Sequence, residues 1–284
     1  MLDLDLADVP PADVVPHDPI ERKKRTPFAG VRRLARSKVP LNVLGVLVAF
    51  SCWQLYSVTS ADKMVPPLQS IYSALVNLAS SGQLWAQGGA TLRPALAGLG
   101  IALAAGTSLG IIAGRSRWCS ALIEPLVKLG YPVPKLSFYP IMILVFGLGP
   151  ASKVTQVAIE CFFPLFVQAC SGARSVDRNM IWLAKNTGAS RLRVLRSVIM
   201  PTTLPSILTG LRIAVPVMLM VITVTEFVGA STGLGFLIVN SSSEFQPSTT
   251  WAAIFVIGFI GYVLDRLIVT VRVRAVFWER GADH

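Results

Sequence analysis

Nine ionisable residues stand inside stretches that are otherwise apolar: Arg93, Glu124, Lys128, Lys135, Glu160, Arg212, Glu226, Asp265 and Arg266. A charge in such a stretch needs a partner, a polar pathway or a route to water, so each is a candidate for ion pairing or for contact with a charged solute. Glu124 and Lys128 are four apart, on one helical face, and the expected arrangement is a local ion pair, with a solute contact as the alternative. Lys135 and Glu160 lie deeper. Lys135 could counter a carboxylate or sulfonate, or it could neutralise Glu160, and the pair is the preferred reading. Arg212, Asp265 and Arg266 fall near the ends of their stretches, where snorkelling or pairing accounts for them. Catalytic chemistry has no matching set: both histidines, His17 and His284, are in the terminal tails, and Cys52, Cys119, Cys161 and Cys170 have no CxxC spacing. A metal cluster, a triad, a structural zinc site and a disulfide framework are all unsupported.

The elements that must position these charges are membrane spans. The 284 residues are 53% hydrophobic and 14% charged, with a mean hydropathy of +0.60, whereas a soluble domain is about 25% charged. Apolar runs near the ~20 residues that cross a bilayer core lie at 40–58, 89–113, 119–147, 154–173, 204–228 and 249–271. The expected fold is an all-α membrane protein of six transmembrane helices. The third run is too long for one straight span, and Pro132, Pro134 and Pro140 are expected to kink or break it. Residues 66–84 have mixed polarity after a proline start and predict an interfacial helix.

The segments joining these spans divide the positive charge unevenly. Nineteen Lys and Arg residues fall on the side of the two termini, against only Lys63 and Lys153 on the other. That bias places both termini in the cytoplasm and explains the net charge of +11 without nucleic acid. Residues 1–38 form an acidic, proline-rich tail that turns basic at 22–38. It is expected to be disordered, without a secretory signal, its basic part favouring anionic lipid over the alternative of nucleic acid. Residues 39–83 hold the first span and the interfacial helix, and 273–284 a cytoplasmic C-terminal tail.

Between the fourth and fifth spans, about thirty cytoplasmic residues are long for a connector in a compact bundle. They predict a helical first half, a bend at Gly188 and a second helical stretch with Leu192, Leu195 and Ile199 at three- and four-residue steps, after which Pro201 and Pro205 reset the chain. A short helix with an apolar and a basic face suits a groove on another protein; the alternative is a helix lying on headgroups. Periodicity does not separate the two. Trp182, Leu192 and Leu195 are the candidate apolar anchors, and Arg191, Arg193 and Arg196 the candidate rim contacts or phosphate ligands. Gly188 would permit a tight bend or a close backbone approach.

This segment resembles the cytoplasmic loop of bacterial ABC-importer permeases, whose pattern runs Glu-Ala-Ala, three residues, Gly, and then about nine residues to an apolar-x-Leu-Pro end. Ala184, Gly188, Pro201 and the Leu204-Pro205 pair match, while Trp182 and Leu183 stand where the pattern has Glu and Ala. TGASRLRVLRSVIMPTTLPSILTGLRIA at 187–214, which includes Ala189, is similar to the nitrate, sulfonate and taurine branch. So are LWAQGGATLRPALAGLGIALAAGTSLGIIAG at 84–114, PVPKLSFYPIMILVFGLGPASK at 132–153 and TEFVGASTGLGFLI at 225–238. The resemblance implies a type I permease domain over 84–272, with a coupling helix between the fourth and fifth transmembrane helices. It implies two permease copies enclosing a pathway in the inner membrane, two nucleotide-binding subunits that hold ATP and Mg, and an extracytoplasmic binding protein that delivers a small, anionic solute. The chain has no GxxxxGK(S/T) phosphate loop and no expected cofactor or catalytic residues of its own.

Within the spans, Gly106, Gly110 and Gly114 recur every four residues and predict a bare ridge for close helix packing. Pro164 and Pro216 kink a helix or expose carbonyls to a pathway. Phe138, Tyr139, Phe162, Phe163 and Phe166 are candidate pathway aromatics or core residues. Lys135, Phe138, Glu160, Pro216 and Glu226 form the candidate pathway and gating set, Glu226 matching a glutamate of the resembling family ahead of the Gly233-Leu234-Gly235 turn. An ion-coupled secondary transporter would show internal repeats, and none joins the two halves. A membrane-embedded enzyme would need a convergent nucleophile, base or metal set.

Overall fold

The computed structural model describes residues 38–59 and 64–277. The tail before residue 38, Lys63, the end beyond residue 277 and both histidines lie outside the described residues. The chain divides into two units, Met1–Leu55 and Tyr56–His284. Most of α1 (Lys38–Thr59) falls in the first, a 22-residue helix over the run expected as the first span, whose part Val43–Thr59 is a shorter apolar helix and not one of the stretches long enough to cross.

Among the described residues the regular elements of the second unit are all helices, and its frame is set by glycine. α3 (Gln83–Arg115) packs along α6 (Pro150–Arg174), and the contact follows a row on α3 at Gly98, Ala102, Gly106, Gly110 and Gly114. A methyl group added at Gly98, Gly110 or Gly114 would stand 2.7 Å from the carbonyl oxygens of Val154, Phe166 and Cys170, and one at Gly106 would stand 3.0 Å from that of Phe162. Residues four apart thus meet residues four apart, with no side chain between the backbones. The predicted ridge is present and extends two steps further, through Ala102 to Gly98. On its other side α6 meets α9 (Met200–Phe227), where Gly172 abuts Ser206 and Gly210 abuts Gln168. The core between them holds Val157, Cys161, Leu165, Ala214, Met218 and Ile222.

Four stretches are long and apolar enough to cross a bilayer: α3, α6, the 37 residues Arg191–Phe227 that end in α9, and α11 (Pro247–Ala275). The third expected span is two-part, as its prolines predict. α4 (Arg117–Gly130) is followed by a 3-10 turn (Lys135–Phe138) and α5 (Tyr139–Phe146), with an 85° bend between the halves. Pro132 and Pro134 lie in the break, but Pro140 does not contribute to it. Pro140 sits in the first turn of α5, where its missing N–H has no intrahelical partner to lose. The predicted interfacial helix is α2 (Leu68–Ser80), which buries Ile71 and Leu78. The segment before it is tied to α11 by the Trp251 indole, which donates to the Met64 carbonyl at 3.0 Å.

The fifth span departs from its expected outline. Pro201 and Pro205 do not reset the chain: α8 (Arg191–Val194) runs through a π turn (Leu195–Ile199) directly into α9. Pro201 occupies the first turn of α9, and the wider π turn just before it absorbs the donor that proline lacks. The helix therefore begins at Arg191, thirteen residues before the expected boundary at 204, and rises about 55 Å at 1.5 Å per residue. Introducing a side chain into the α3–α6 contact is the direct test of the frame. Gly110→Leu is expected to cost about 1–3 kcal/mol or more and to lower the melting temperature in detergent. Gly100→Leu, where an added methyl meets nothing within 4 Å, should melt near the parent.

Candidate functional site

The loop segment forms α7 (Arg178–Asn186), and both of its ends are locked. Asp177 is the N-cap: its carboxylate accepts from the Asn179 N–H at 2.9 Å and lies at the positive end of the helix dipole. At the other end the Gly188 N–H donates to Lys185 O at 2.9 Å and the Ala189 N–H reaches back to Ala184 O at 3.0 Å. These paired bonds are a Schellman motif, which needs a left-handed residue, and Gly188 supplies it with φ of 78°. Nothing lies within 4 Å of a methyl group added at Gly188. The glycine therefore serves the bend and not a close backbone approach within this chain.

One face of α7 is rooted. Ile181 is buried and Ala184 and Ala189 pack beside it, in a cluster with Ile111 of α3, Ala169 and Ala173 of α6, Val194 of α8, Ile199 of the π turn and Ile207 of α9. The opposite face is unusually apolar for a surface: Met180 is 56% exposed, Trp182 68% and Leu183 64%, with Leu192 at 54% just beyond the bend. Of the three candidate anchors, Trp182 and Leu192 are thus exposed. Leu195 is half-buried against the rooting cluster beside Val194. Arg191, Arg193 and Arg196 are exposed around α8, whose first turn is capped by the Ser190 hydroxyl accepting from the Arg193 N–H at 3.3 Å.

At the far end of α9 is a second polar construction, built on Glu226. The carboxylate is 1% exposed and accepts from the Thr91 hydroxyl at 2.9 Å and the Gly235 N–H at 2.9 Å, and it pairs with Lys153 at 3.4 Å. Thr91 in turn accepts from the Leu234 N–H at 2.7 Å, and the Gln87 side chain accepts from the Gly233 N–H at 2.6 Å. Gly235 opens α10 (Leu234–Ser243), so the carboxylate sits on a helix N-terminus. A methyl group at Gly233 or Gly235 would collide with Glu226. Tyr139, at the start of α5, is buried with Ser152 and Thr225 as hydrogen-bonding neighbours. α3, α5, α6, α9 and α10 all converge there. Sequence reading counted Lys153 among connecting-segment charges. It is instead 7% exposed in the first turn of α6, and its rarity as a cation on that side was the available signal.

The remaining candidates are placed as follows. Lys135 and Glu160 meet at 3.8 Å, and the Lys135 ammonium also donates to the carbonyls of Gly130, Tyr131 and Val133 and lies 4.4 Å from the centre of the Phe163 ring. It satisfies the orphaned carbonyls at the broken end of α4. Glu124 pairs with Lys128 at 3.8 Å and with Arg174, and Arg212 pairs with Asp265 at 2.7 Å. Arg266 lies over the Tyr262 ring. Pro216 falls on an exposed side of an unbroken α9, and Phe138 is 44% exposed in the 3-10 turn. Phe162, Phe163 and Phe166 form one aromatic cluster, with Phe166 and also Tyr139 buried.

The Lys153–Glu226 pair makes a double-mutant comparison informative. Lys153→Met leaves a buried carboxylate without its cation and is expected to cost about 3–5 kcal/mol. Adding Glu226→Gln should recover part of that loss, read as a higher melting temperature for the double variant than for Lys153→Met alone.

Comparison with known proteins gives a consistent result. A family model described as a binding-protein-dependent transport system inner membrane component matches residues 106–274. The taurine transport system permease protein of Escherichia coli strain K12 is 31% identical over 235 residues, covering 80% of this chain and 86% of that protein. A putative aliphatic sulfonates transport permease protein of the same organism is 30% identical, covering 82% and 87%. A putative ABC transporter permease protein of Methanocaldococcus jannaschii is 30% identical, covering 81% and 86%. Among solved structures, an inward-facing MetNI methionine ABC transporter chain is similar with a TM-score of 0.48 at 13% identity, covering 72% of this chain and 95% of that one. With over half of its residues matched by the family model and close to the whole of its relatives spanned, this chain belongs to the binding-protein-dependent transport family of inner-membrane components, the multi-pass permeases of ABC transporters.

Proposed function

We propose that this permease is the transmembrane subunit of an ATP-driven importer for a small organic anion of the sulfonate class. Two copies enclose the pathway. A separate ATPase subunit, which holds ATP and Mg, grips α7 of each copy, and an extracytoplasmic binding protein delivers the solute at the Glu226 end. The permease itself has no cofactor and no catalytic site. The observation that carries this reading is α7: a helix stopped at both ends, rooted by Ile181 and offering Trp182 and Leu183 outward.

The mechanics follow from continuity. α7 is rooted on the same cluster as the start of the Arg191–Phe227 helix, so a push on α7 enters that helix at its base. The helix carries Glu226 at its other end, about 55 Å away. Closure of the ATPase pair thereby reaches the outer knot through one rigid element, the lever arrangement used where a packed helix transmits a domain motion. Glu226 acts in gating by holding or releasing the α10 N-terminus. Phe138 and Pro216, both exposed in the single chain, face the pathway in the dimer. Lys135 and Glu160 brace the broken span from its edge.

Topology and cargo fit the same scheme. The four long stretches, the bent pair of α4 and α5, and α1 make six crossings, which returns both termini to one side. The Lys and Arg bias supports a cytoplasmic location for that side, and the more so because Lys153 is neutralised by Glu226. An anionic cargo is supported by the sulfonate and taurine permeases among the relatives. It is also supported by Arg93, which pairs with no carboxylate among the described residues and lines a cavity of about 540 Å³ between α3, α6 and the loop at Ala230–Thr232.

ATP-dependent uptake into proteoliposomes holding the permease, its ATPase subunit and the binding protein tests the lever. Gly188→Val is expected to reduce uptake at least about tenfold, while Gly188→Asn, which tolerates the left-handed conformation, retains most of it. Trp182→Ala should weaken capture of the ATPase subunit by a similar factor. Equal uptake by all three variants, or uptake by the permease without any ATPase, would sink the proposal.

A further inference from the structure

Lys153 belongs to two constructions at once. It is 7% exposed in the first turn of α6 and pairs with Glu226, and it is also part of the wall of the cavity of about 540 Å³ that holds Arg93. An ammonium has three donors. Among the described residues Lys153 gives one of them to Glu226, at 3.4 Å, and no other acceptor takes the remaining two. That bond is long beside the ~2.7–2.9 Å of a close charge-assisted contact. A buried cation with donors unspent needs further acceptors, and the cavity is where they can stand.

Three other features of the wall favour negative charge. Arg93, from α3, pairs with no carboxylate among the described residues. Gly149 and Pro150 bring in the start of α6, a 25-residue helix whose N-terminus no side chain caps, so its first N–H groups lack intrahelical partners and the positive end of its dipole is left open. Ser231 and Thr232 add hydroxyls that can donate. The charges also say what charge the ligand carries. Lys153 and Glu226 cancel, which leaves Arg93 and one net positive charge around the cavity. A monoanion is balanced there and a dianion is not. Ala97, Leu148 and Val154 make the rest of the wall apolar, which suits a short carbon tail.

We propose that this cavity is the first subsite for the solute within the permease, that it takes the headgroup of a small organic monoanion such as an alkanesulfonate, and that the anion competes with Glu226 for Lys153. The headgroup oxygens accept from the Arg93 guanidinium and the two free donors of Lys153, and the N-terminus of α6 stabilises the same charge. Whatever the Lys153–Glu226 pair takes from the affinity for the anion, a bound anion takes from the pair, by the same factor. Glu226 holds the start of α10 through the Gly235 N–H. Occupancy of the cavity is therefore registered in the knot that closes this end of the molecule. The inference deepens the importer proposal and rests on it for the identity of the solute, while the site itself stands on the cavity.

The test measures binding of ethanesulfonate to the full-length permease in detergent, by saturation-transfer NMR, without ATPase or binding protein. Arg93→Gln is expected to weaken binding at least about tenfold, the loss of one charge-assisted contact, with an unchanged melting temperature. Glu226→Gln is expected to tighten it at least about fivefold, because it frees Lys153, and adding Lys153→Met should reverse that gain. Sulfate, a dianion, should bind more weakly than ethanesulfonate. Parent-like binding by Arg93→Gln, no gain in Glu226→Gln, or equal binding of sulfate would overturn the assignment. So would displacement of ethanesulfonate by an equal concentration of phosphatidylglycerol, because the site would then hold a lipid headgroup. Arg93→Gln alters only an exposed side chain, so its arm reads the site whatever the stability of Glu226→Gln. A permease that binds as described yet imports nothing with its ATPase would support the site and refute the importer, whereas ATP-driven ethanesulfonate uptake left intact by Arg93→Gln would refute the site alone.

Discussion

A buried carboxylate in a region without water must find all of its partners inside the protein, and Glu226 shows how far that requirement reaches. One side chain recruits a lysine from α6, a threonine from α3 and the backbone of the turn into α10. Those partners in turn dictate glycine at 233 and 235, because a side chain at either position would occupy the carboxylate's place. The same scarcity of donors governs the broken span. Lys135 turns back onto three carbonyls left by the end of α4 while meeting Glu160 across the bundle. Threonine hydroxyls at 107, 202, 203, 209 and 223 fold back onto their own helices for the same reason.

The consequence is a molecule whose two polar constructions sit at opposite ends of one helix. The hydrophobic cluster that roots α7 surrounds the start of the Arg191–Phe227 stretch, and the carboxylate knot closes its end. Nothing comparable joins those ends through α11, whose apolar stretch is only 17% buried. A disturbance at either end therefore has a direct structural route to the other, and it passes through the π turn at Leu195–Ile199, the one place where the ladder of that helix changes its spacing.

Much of this was legible from residue types. Runs of apolar residues marked the long helices, paired prolines marked the break near residue 132, and glycines at every fourth position marked the α3–α6 contact, because each of these signals acts within one turn or one segment. What sequence reading missed depends on distance or direction. Lys153 and Glu226 are 73 positions apart, and no local pattern joins them. Leu192 and Leu195 share an apolar period, yet one faces out and the other in, since periodicity defines a face without saying what lies against it. Pro201 and Pro205 read as a stop because proline usually is one; the π turn that lets the helix pass is a backbone adjustment with no residue signature. Gly188 was legible as special, but whether through its torsion or its size was decided by the φ of 78° and the empty space around it.

The glycine row on α3 has a last effect, on what kinds of movement remain open to the protein. Backbones that touch through notches at every fourth position behave like a rack and its teeth. They resist a small slide, because any fraction of a turn drives Cα hydrogens into carbonyl oxygens, and the next resting place is a full turn, about 5.4 Å, away. α3 and α6 are thus a fixed keel, and any opening of a passage must come from the elements hinged onto it.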